Sequence, residues 1–332
     1  MLKDTSKDIR LEAESCLAEF LREIRVVTEK VSENKKPIDF GGLVKILFVH
    51  CNSKDEFTRL TALQWINEFI LIGKEEMLPL SPQLLSSILP CLSHEVTEIR
   101  AAATKSNASL LQLITETNSE FGINEFLNTV TIQFLNQSVP TRLAALEWVL
   151  VLHSKRSKDL ASYVDELFPA LLKTLSDPSE EVIRLDLEVM ANISKLDESY
   201  FIKLMNNLVR LFSSDRQLLE NRANLIIRQL STLLHPEKIY LTIAKIIEKE
   251  EDYEFVVVMI QTLNLILLTS SELSELRMSL KKMLSDSSSK EVFVALYKSW
   301  SHNPAATFSL CLLAQLYQHA SDLIVKLYDS VC

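Results

Sequence analysis

The chain has 332 residues, of which 47% are apolar and 24% are charged, and its formal net charge is −9. This composition is typical of a folded chain with a large core rather than of a disordered one. The acidic surplus repels phosphate backbones, so no nucleic-acid partner is expected.

Glycine is scarce. The chain has four glycines, Gly41, Gly42, Gly73 and Gly122, where average usage predicts roughly 23. Their spacing excludes the dinucleotide fingerprint, the P-loop and the G-x-S-x-G nucleophile elbow. Hairpin-rich β folds and large βα barrels are also disfavoured, because they need many turns with positive φ. The sequence therefore predicts an all-α protein with turns of Ser, Asp, Asn and Pro, in which the few glycines mark the edges of units.

The N-terminal segment has no apolar core of a signal peptide. It predicts a helix over residues 7–30 that matches the second helix of a repeat, with no first helix before it. We therefore expect an incomplete first repeat, in a chain cut from something longer or taken from an incomplete gene model.

An arginine recurs at the start of apolar-periodic segments, each time after a short polar stretch. The pairs that mark these starts are Ile9-Arg10, Thr58-Arg59, Ile99-Arg100, Thr141-Arg142, Ile183-Arg184 and Asn221-Arg222. Successive arginines are 38 to 49 residues apart. Repeats of about 40 to 47 residues with paired helices are typical of HEAT and armadillo proteins.

The register also holds inside the repeat. Three residues after the arginine stand Ala13, Ala62, Ala103, Ala145, Leu187 and Leu225, and six residues after it stand Trp65 and Trp148. These positions are predicted to be core. Further helices are predicted over 43–51, 84–92, 126–135, 167–175, 204–212, 239–249, 253–268, 273–284, 291–300 and 304–328. The predicted fold is an all-α, HEAT/armadillo-type right-handed helical solenoid, divided into HEAT repeats over 1–115, further HEAT repeats over 116–199 and a C-terminal helical region over 200–332.

Two stretches without charged residues, 255–271 and 299–321, are the strongest candidates for a membrane span. The first is short and the second contains several polar residues, so both are predicted to be buried helices rather than membrane-spanning ones. Any membrane contact is expected to be peripheral.

No catalytic, cofactor or metal site is predicted. The five cysteines form no C-x-x-C pair and read as reduced thiols of a cytosolic protein. His302 and His319, the two histidines that share one segment, lack the i, i+4 spacing of a metal site. Adjacent helix residues such as His50 and Cys51 point in different directions, which excludes them as a base and nucleophile.

Two charged stretches lie at predicted helix ends. The acidic residues of 248–254 read as a solvated loop. The basic stretch of Lys155, Arg156 and Lys158 is also interpreted as a solvated loop. The alternative is a basic loop that faces an anionic membrane.

The stretch from Ser299 to Pro304 interrupts two strongly apolar helices. Trp300 is predicted to pack in the core, Asn303 to cap a helix and Pro304 to occupy its first position. This local reading leaves Gln315, Tyr317 and His319 unexplained. We therefore predict a partner-binding region formed by Trp300, His302, Asn303, Pro304, Gln315, Tyr317 and His319.

These residues also carry a resemblance to a known family. The blocks Tyr297-x-Ser299-Trp300-x-His302-Asn303-Pro304, Ser309-Leu310-Cys311-Leu312-Leu313-x-Gln315-x-Tyr317-x-His319-Ala320 and Asp322-Leu323-Ile324 resemble the C-terminal block of the vacuole-morphology scaffold family. Other similar stretches include Leu60-Thr61-Ala62-x-x-Trp65-x-x-Glu68-Phe69-Ile70 and Ile226-Ile227-Arg228-Gln229-Leu230.

The resemblance implies a non-catalytic HEAT scaffold of the PIKfyve-type phosphatidylinositol 3-phosphate 5-kinase complex. It implies as partners that lipid kinase and a Sac-domain phosphatase, and control of phosphatidylinositol 3,5-bisphosphate at the cytosolic face of endosomal or vacuolar membranes. Residues from about 200 onward correspond to the family's phosphatase-binding and self-association region. Because the resemblance lacks the family's early repeats and stops at Cys332, we expect a truncated member, with homo-oligomers formed by the full-length protein.

Two other hypotheses also fit parts of the sequence. Periodicity alone fits a generic HEAT adaptor, such as a transport receptor or a phosphatase regulatory subunit, because fold does not imply function. A helical enzyme would need a pocket with convergent titratable residues, which the sequence does not offer.

Overall fold

The computed structural model describes residues 7–29, 38–117 and 121–331. Within these ranges the regular structure is helical, without a β-strand. The α-helices are α1 (Lys7–Glu29), α2 (Phe40–Cys51), α3 (Glu56–Gly73), α4 (Ser81–Ile88), α5 (Thr97–Glu116), α6 (Ile123–Ile132), α7 (Val139–Ala161), α8 (Val164–Thr174), α9 (Glu180–Ser194), α10 (Glu198–Ser214), α11 (Arg216–Leu233), α12 (Pro236–Ile247), α13 (Tyr253–Thr269), α14 (Ser274–Lys281), α15 (Ser287–Trp300), α16 (Pro304–Leu313) and α17 (Tyr317–Val331). Cys332 lies outside the described residues.

The helices form two compact units, Met1–Ala170 and Leu171–Cys332. In the first, α1, α3, α5 and α7 contact one another in succession, and so do α2, α4 and α6. In the second, α9, α11, α13 and α16 form one such series, and α10, α12 and α15 form the other. Each unit is therefore a two-layer stack of paired helices, which confirms the predicted HEAT/armadillo-type class. The predicted divisions after residues 115 and 199 stay predictions.

The repeated small residue packs in the core as predicted. Ala62, Ala103 and Ala145 are buried, and their small side chains let α3, α5 and α7 approach closely. Leu225 is the exception because it is half-buried, while Ala223 on the same helix is fully buried.

Three of the recurring arginines share one structural role. Each donates to the backbone carbonyl of the residue six positions earlier: Arg59 to Ser53 at 2.6 Å, Arg100 to His94 at 2.7 Å and Arg142 to Asn136 at 2.7 Å. These carbonyls lie in the turn before the helix, where no regular backbone partner is available. The arginine therefore recurs because it stabilises the turn between the two helices of a repeat.

The later arginines depart from this pattern. Helix α11 begins at Arg216, six residues before Arg222, because the Asp215 carboxylate accepts from the backbone N–H of Leu218 at 2.9 Å. The prediction that Asn221-Arg222 marks a helix start was therefore wrong. Arg222 instead donates to the carbonyl of Pro178 in the preceding repeat, at 3.2 Å. The side chain of Arg10 lies outside the described part of the chain.

Candidate functional site

The turn between α15 and α16 is built as the sequence predicts. Trp300 is fully buried at the end of α15. The Asn303 side chain accepts from the backbone N–H of Ala306 at 3.1 Å, and Pro304 occupies the first position of α16. The Thr307 hydroxyl donates to the Trp300 carbonyl at 2.6 Å. Trp300, Asn303 and Pro304 thus hold the turn, and their side chains serve the fold.

His302 is exposed in this turn. Its ring packs edge-on against the ring of Tyr253, with centroids 5.8 Å apart. The Tyr253 hydroxyl donates to the His302 carbonyl at 3.2 Å. Because Tyr253 begins α13 and His302 precedes α16, the two N-terminal helix ends meet at this pair.

The single helix predicted over 304–328 is in fact two, α16 and α17. The break is at Gln315, whose φ of 61° lies in the left-handed region. The N–H of Gln315 donates to the carbonyl of Leu312, and the N–H of Leu316 donates to the carbonyl of Cys311 at 2.9 Å. Together these two hydrogen bonds form a Schellman motif. Glycine is usual at this position, so a glutamine there gives no sequence signal that the helix ends.

Tyr317 and His319 lie on the first turn of α17. Tyr317 is 63% exposed. His319 Nε2 lies 2.8 Å from the hydroxyl of Tyr297 on α15, with ring centroids 5.4 Å apart. Partial burial raises the pKa of the Tyr297 hydroxyl, with a smaller contribution from Cys311. Of the predicted residues, His302 and His319 therefore each pair with a tyrosine, in two aromatic clusters, Tyr253–His302 and Tyr297–His319.

The basic stretch near the end of α7 is partly used inside the protein. The Arg156 guanidinium pairs with Asp159 at 3.1 Å and lies 5.2 Å from the centre of the Phe121 ring. The backbone of Arg156 is non-helical, with φ −136° and ψ 43°, which kinks α7. Lys155 and Lys158 are exposed. A membrane-facing role for the three residues stays a prediction, now with two exposed charges instead of three.

Helices α13 and α16 expose apolar side chains that sequence reasoning missed. We call this surface the α13–α16 face and define it by Val258, Gln261, Leu265, Leu268, Ala305, Phe308 and Leu312. Leu265 is 57% exposed and Leu312 is 41% exposed. The prediction that 255–271 and 299–321 are buried helices therefore holds for their inner sides only. The sequence carries no signal for this solvated side, because a helix with one solvated side ordinarily carries charged residues there and, beyond Glu254, these two do not.

His50 and Cys51 are adjacent in α2 but differ in their exposure to solvent. His50 is exposed, whereas Cys51 is buried. Burial raises the pKa of the Cys51 thiol to about 12, with a smaller contribution from Cys91. Cys51 is therefore a protonated core thiol. Cys16, Cys91 and Cys311 are free thiols as well.

The described ranges contain no cluster of three or more His, Cys, Asp or Glu side chains that could hold a metal ion. They also contain no single helix long and apolar enough to cross a membrane. Tyr253–Thr269 and Ser271–Lys281 satisfy length and composition only together, as a pair bent by 84°.

Two family profiles match the chain. Residues 216–331 match the family described as Vacuolar protein 14 C-terminal Fig4p binding. Residues 80–227 match the family described as stalled ribosome sensor GCN1-like, HEAT repeats. The first match contains both aromatic clusters and the whole α13–α16 face.

Curated relatives align with nearly the whole chain. A VAC14 homologue of Arabidopsis thaliana is 42% identical over 99% of this chain and 43% of its own length. A VAC14 homologue of Schizosaccharomyces pombe is 31% identical over 97% of this chain and 47% of its own length. Vacuole morphology and inheritance protein 14 of Saccharomyces cerevisiae is 30% identical over 86% of this chain and 33% of its own length.

The chain thus spans between a third and about half the length of these relatives. The resemblance carried by the C-terminal blocks pointed to the same proteins. The paired-helix repeats, the match of 216–331 and the alignment along the chain agree, and the chain belongs to the VAC14 family.

Proposed function

We propose that this chain is a scaffold, without chemistry of its own, that binds a Fig4-type Sac phosphatase through residues 216–331. The observation that carries the proposal is the match of these residues to the family described by its binding of Fig4p. The region consists of stacked helices with an exposed apolar surface, which suits protein binding better than turnover.

The wider role follows the family. Together with a PIKfyve-type lipid kinase, the scaffold would place the kinase and the phosphatase side by side and so control phosphatidylinositol 3,5-bisphosphate. Holding two enzymes on one chain raises their effective concentration, provided that both sites can be occupied at once. Self-association of the scaffold would multiply this effect.

The place of action would be the cytosolic face of endosomal or vacuolar membranes, with peripheral attachment. Lys155 and Lys158 are exposed and available to anionic lipids. Each basic residue near such a surface contributes about 1 kcal/mol, so two of them would assist attachment without producing it.

A binding measurement tests the proposal. The 332-residue chain is immobilised and purified Fig4-type Sac phosphatase is passed over it. We expect saturable binding, and no hydrolysis or phosphorylation of phosphoinositides by the chain alone. Absence of binding would contradict the phosphatase assignment, and turnover by the purified chain would contradict the scaffold.

A further inference from the structure

The α13–α16 face is formed by two parallel helices. Their N-terminal ends meet at Tyr253 and His302, as described above. Farther along, the Ser309 hydroxyl donates to the Asn264 side-chain oxygen at 2.9 Å. Leu268 and Leu312 lie about one turn beyond this bond on their respective helices, so they are placed side by side.

The face combines exposure with a lack of charge. Val258 is 36%, Leu265 57%, Leu268 40% and Leu312 41% exposed. Beyond Glu254, neither α13 nor α16 contains an Asp, Glu, Lys or Arg residue. Continuous apolar surface of this kind on a folded protein indicates an interaction site.

Charged and polar groups border this apolar surface. The neighbouring helix α11 exposes Gln217, Glu220, Asn221 and Asn224. Next to it, the Arg228 guanidinium and the Glu272 carboxylate pair at 2.7 Å. An apolar centre with a polar rim is the usual anatomy of a protein–protein interface.

We propose that the α13–α16 face is the surface on which the Fig4-type phosphatase docks, through an uncharged apolar patch of its own. This inference rests on the proposed binding of that phosphatase. It is favoured because the whole face lies within residues 216–331, the segment matched to the family described by Fig4p binding. The Tyr253–His302 pair then holds together the N-terminal ends of the two helices that form the docking surface.

A membrane is a poorer occupant of this face. Anionic lipid surfaces attract clusters of lysine and arginine, and neither helix carries a basic residue. A protein partner needs no charge there, because burial of apolar side chains supplies most of the affinity at the centre of an interface.

The test introduces one charge into the face at a time. In the 332-residue chain, Leu265→Asp and Leu312→Asp place a carboxylate at its exposed centre. The matched control is Met278→Asp, which changes a side chain 54% exposed on α14, inside the matched segment but outside the face. Binding of purified Fig4-type phosphatase is measured by titration, with circular dichroism and thermal unfolding of every variant.

We expect each face variant to weaken binding at least about tenfold, and the control to bind like the parent chain. If the parent binds and the face variants bind equally well, the docking surface is wrong and the proposed function stands. If the parent does not bind, both fail. If a face variant unfolds, Leu265→Ser replaces it, since serine removes apolar surface without adding charge.

Two measurements identify other occupants. If light scattering shows that the parent chain self-associates and that Leu265→Asp makes it monomeric, the face belongs to a second copy. If the parent sediments with vesicles of phosphatidylcholine and phosphatidylserine and the face variants do not, it belongs to a membrane. Either result overturns the proposal.

Discussion

In the unit Met1–Ala170, most polar contacts between successive repeats are neutral, whereas in Leu171–Cys332 many are ion pairs at the surface. In the first unit, Ser106 donates to the Leu63 carbonyl at 3.1 Å and the Trp148 indole N–H donates to Asn107 at 2.9 Å. In the second, the ion pairs are Arg216–Asp252, Arg228–Glu272, Lys238–Glu198 and Lys245–Glu291. Arg25–Glu68 is an exception in the first unit.

The difference shows that two kinds of polar contact can join successive repeats of the same architecture. The two kinds contribute unequally to the free energy of unfolding. A buried group that loses its partner bears the cost of its own desolvation, about 1–3 kcal/mol. An exposed ion pair contributes about 0–1 kcal/mol and weakens with salt. Substitutions at polar contacts are therefore expected to lower the free energy of unfolding more in the first unit than in the second. One residue of the second unit is an exception.

That exception is Asp186 on α9, where the largest effect is expected. Asp186 is wholly buried, and neither carboxyl oxygen has a hydrogen-bond partner among the described residues. Burial raises its pKa well above the ordinary value, and Asp177 raises it further. Because the unfolded chain releases this proton at lower pH than the folded chain, stability falls as pH rises from the unfolded pKa towards the folded one.

Within that window the free energy of unfolding should fall by up to about 1.4 kcal/mol per pH unit. Asp186→Asn should remove this slope, and Glu188→Gln, an exposed change on the same helix, should leave it. Urea unfolding between pH 5 and pH 8 measures both. A slope that persists in Asp186→Asn would show that Asp186 is not its source.

Arg142→Ala should produce the next largest effect. Arg142 is 6% exposed and donates to the carbonyls of Asn136 and Gln137 at 2.7 and 3.0 Å. Losing two charge-assisted bonds from a buried guanidinium to part-buried turn carbonyls should lower the free energy of unfolding by about 3 kcal/mol. Arg184→Ala, whose side chain is 50% exposed, should cost less than about 1 kcal/mol. If chemical denaturation shows the same loss in the free energy of unfolding for both variants, the proposed difference between the units is wrong.

Asn107→Ala tests a single neutral contact of the first unit. It leaves the N–H of the fully buried Trp148 without its acceptor. We expect a loss of about 1–2 kcal/mol in the free energy of unfolding, because a buried donor is left without an acceptor. Asn224→Ala on the exposed side of α11 serves as the control and should change stability by less than about 0.5 kcal/mol. A neutral Asn107→Ala would indicate that water replaces the amide.

Glu272→Gln should have the smallest effect. The bond from Arg228 lowers the pKa of Glu272 to about 2. The stabilisation is therefore present above the unfolded pKa and is lost as pH falls from about 4.5 through about 2. Since the Arg228 side chain is 43% exposed, we expect a loss below about 1 kcal/mol that disappears in 1 M salt. A larger, salt-independent loss would show that surface pairs hold the second unit as firmly as buried bonds hold the first.

Much of the fold could be predicted, because helices and their caps depend on neighbouring residues. The paired helices, the cap at Asn303 and the position of Pro304 all have local signals. The break at Gln315 had none, since a left-handed glutamine looks like any other helical residue. Asp215, the residue that begins α11, was overlooked because the arginine register pointed to a later start.

The candidate site was less predictable. Residues 297–319 stood out in the sequence, yet Trp300 and Asn303 serve the fold and the two histidines lie in separate clusters. The exposed side of α13 was missed because a charge-free helix resembles a buried one.

The sequence by itself determined that the chain is helical, that its helices pair with a period near 40 residues, and which family it resembles. The first two features follow from composition and from spacing along the chain, whereas the resemblance is carried by its motif blocks. Only the tertiary structure decided that Leu265 and Leu312 face solvent, that Arg222 reaches the preceding repeat and that the buried Asp186 carboxylate receives no hydrogen bond from the described residues. The physical reason is that exposure and partnership are set by the neighbouring repeat, roughly 40 residues away, whose position local periodicity does not specify.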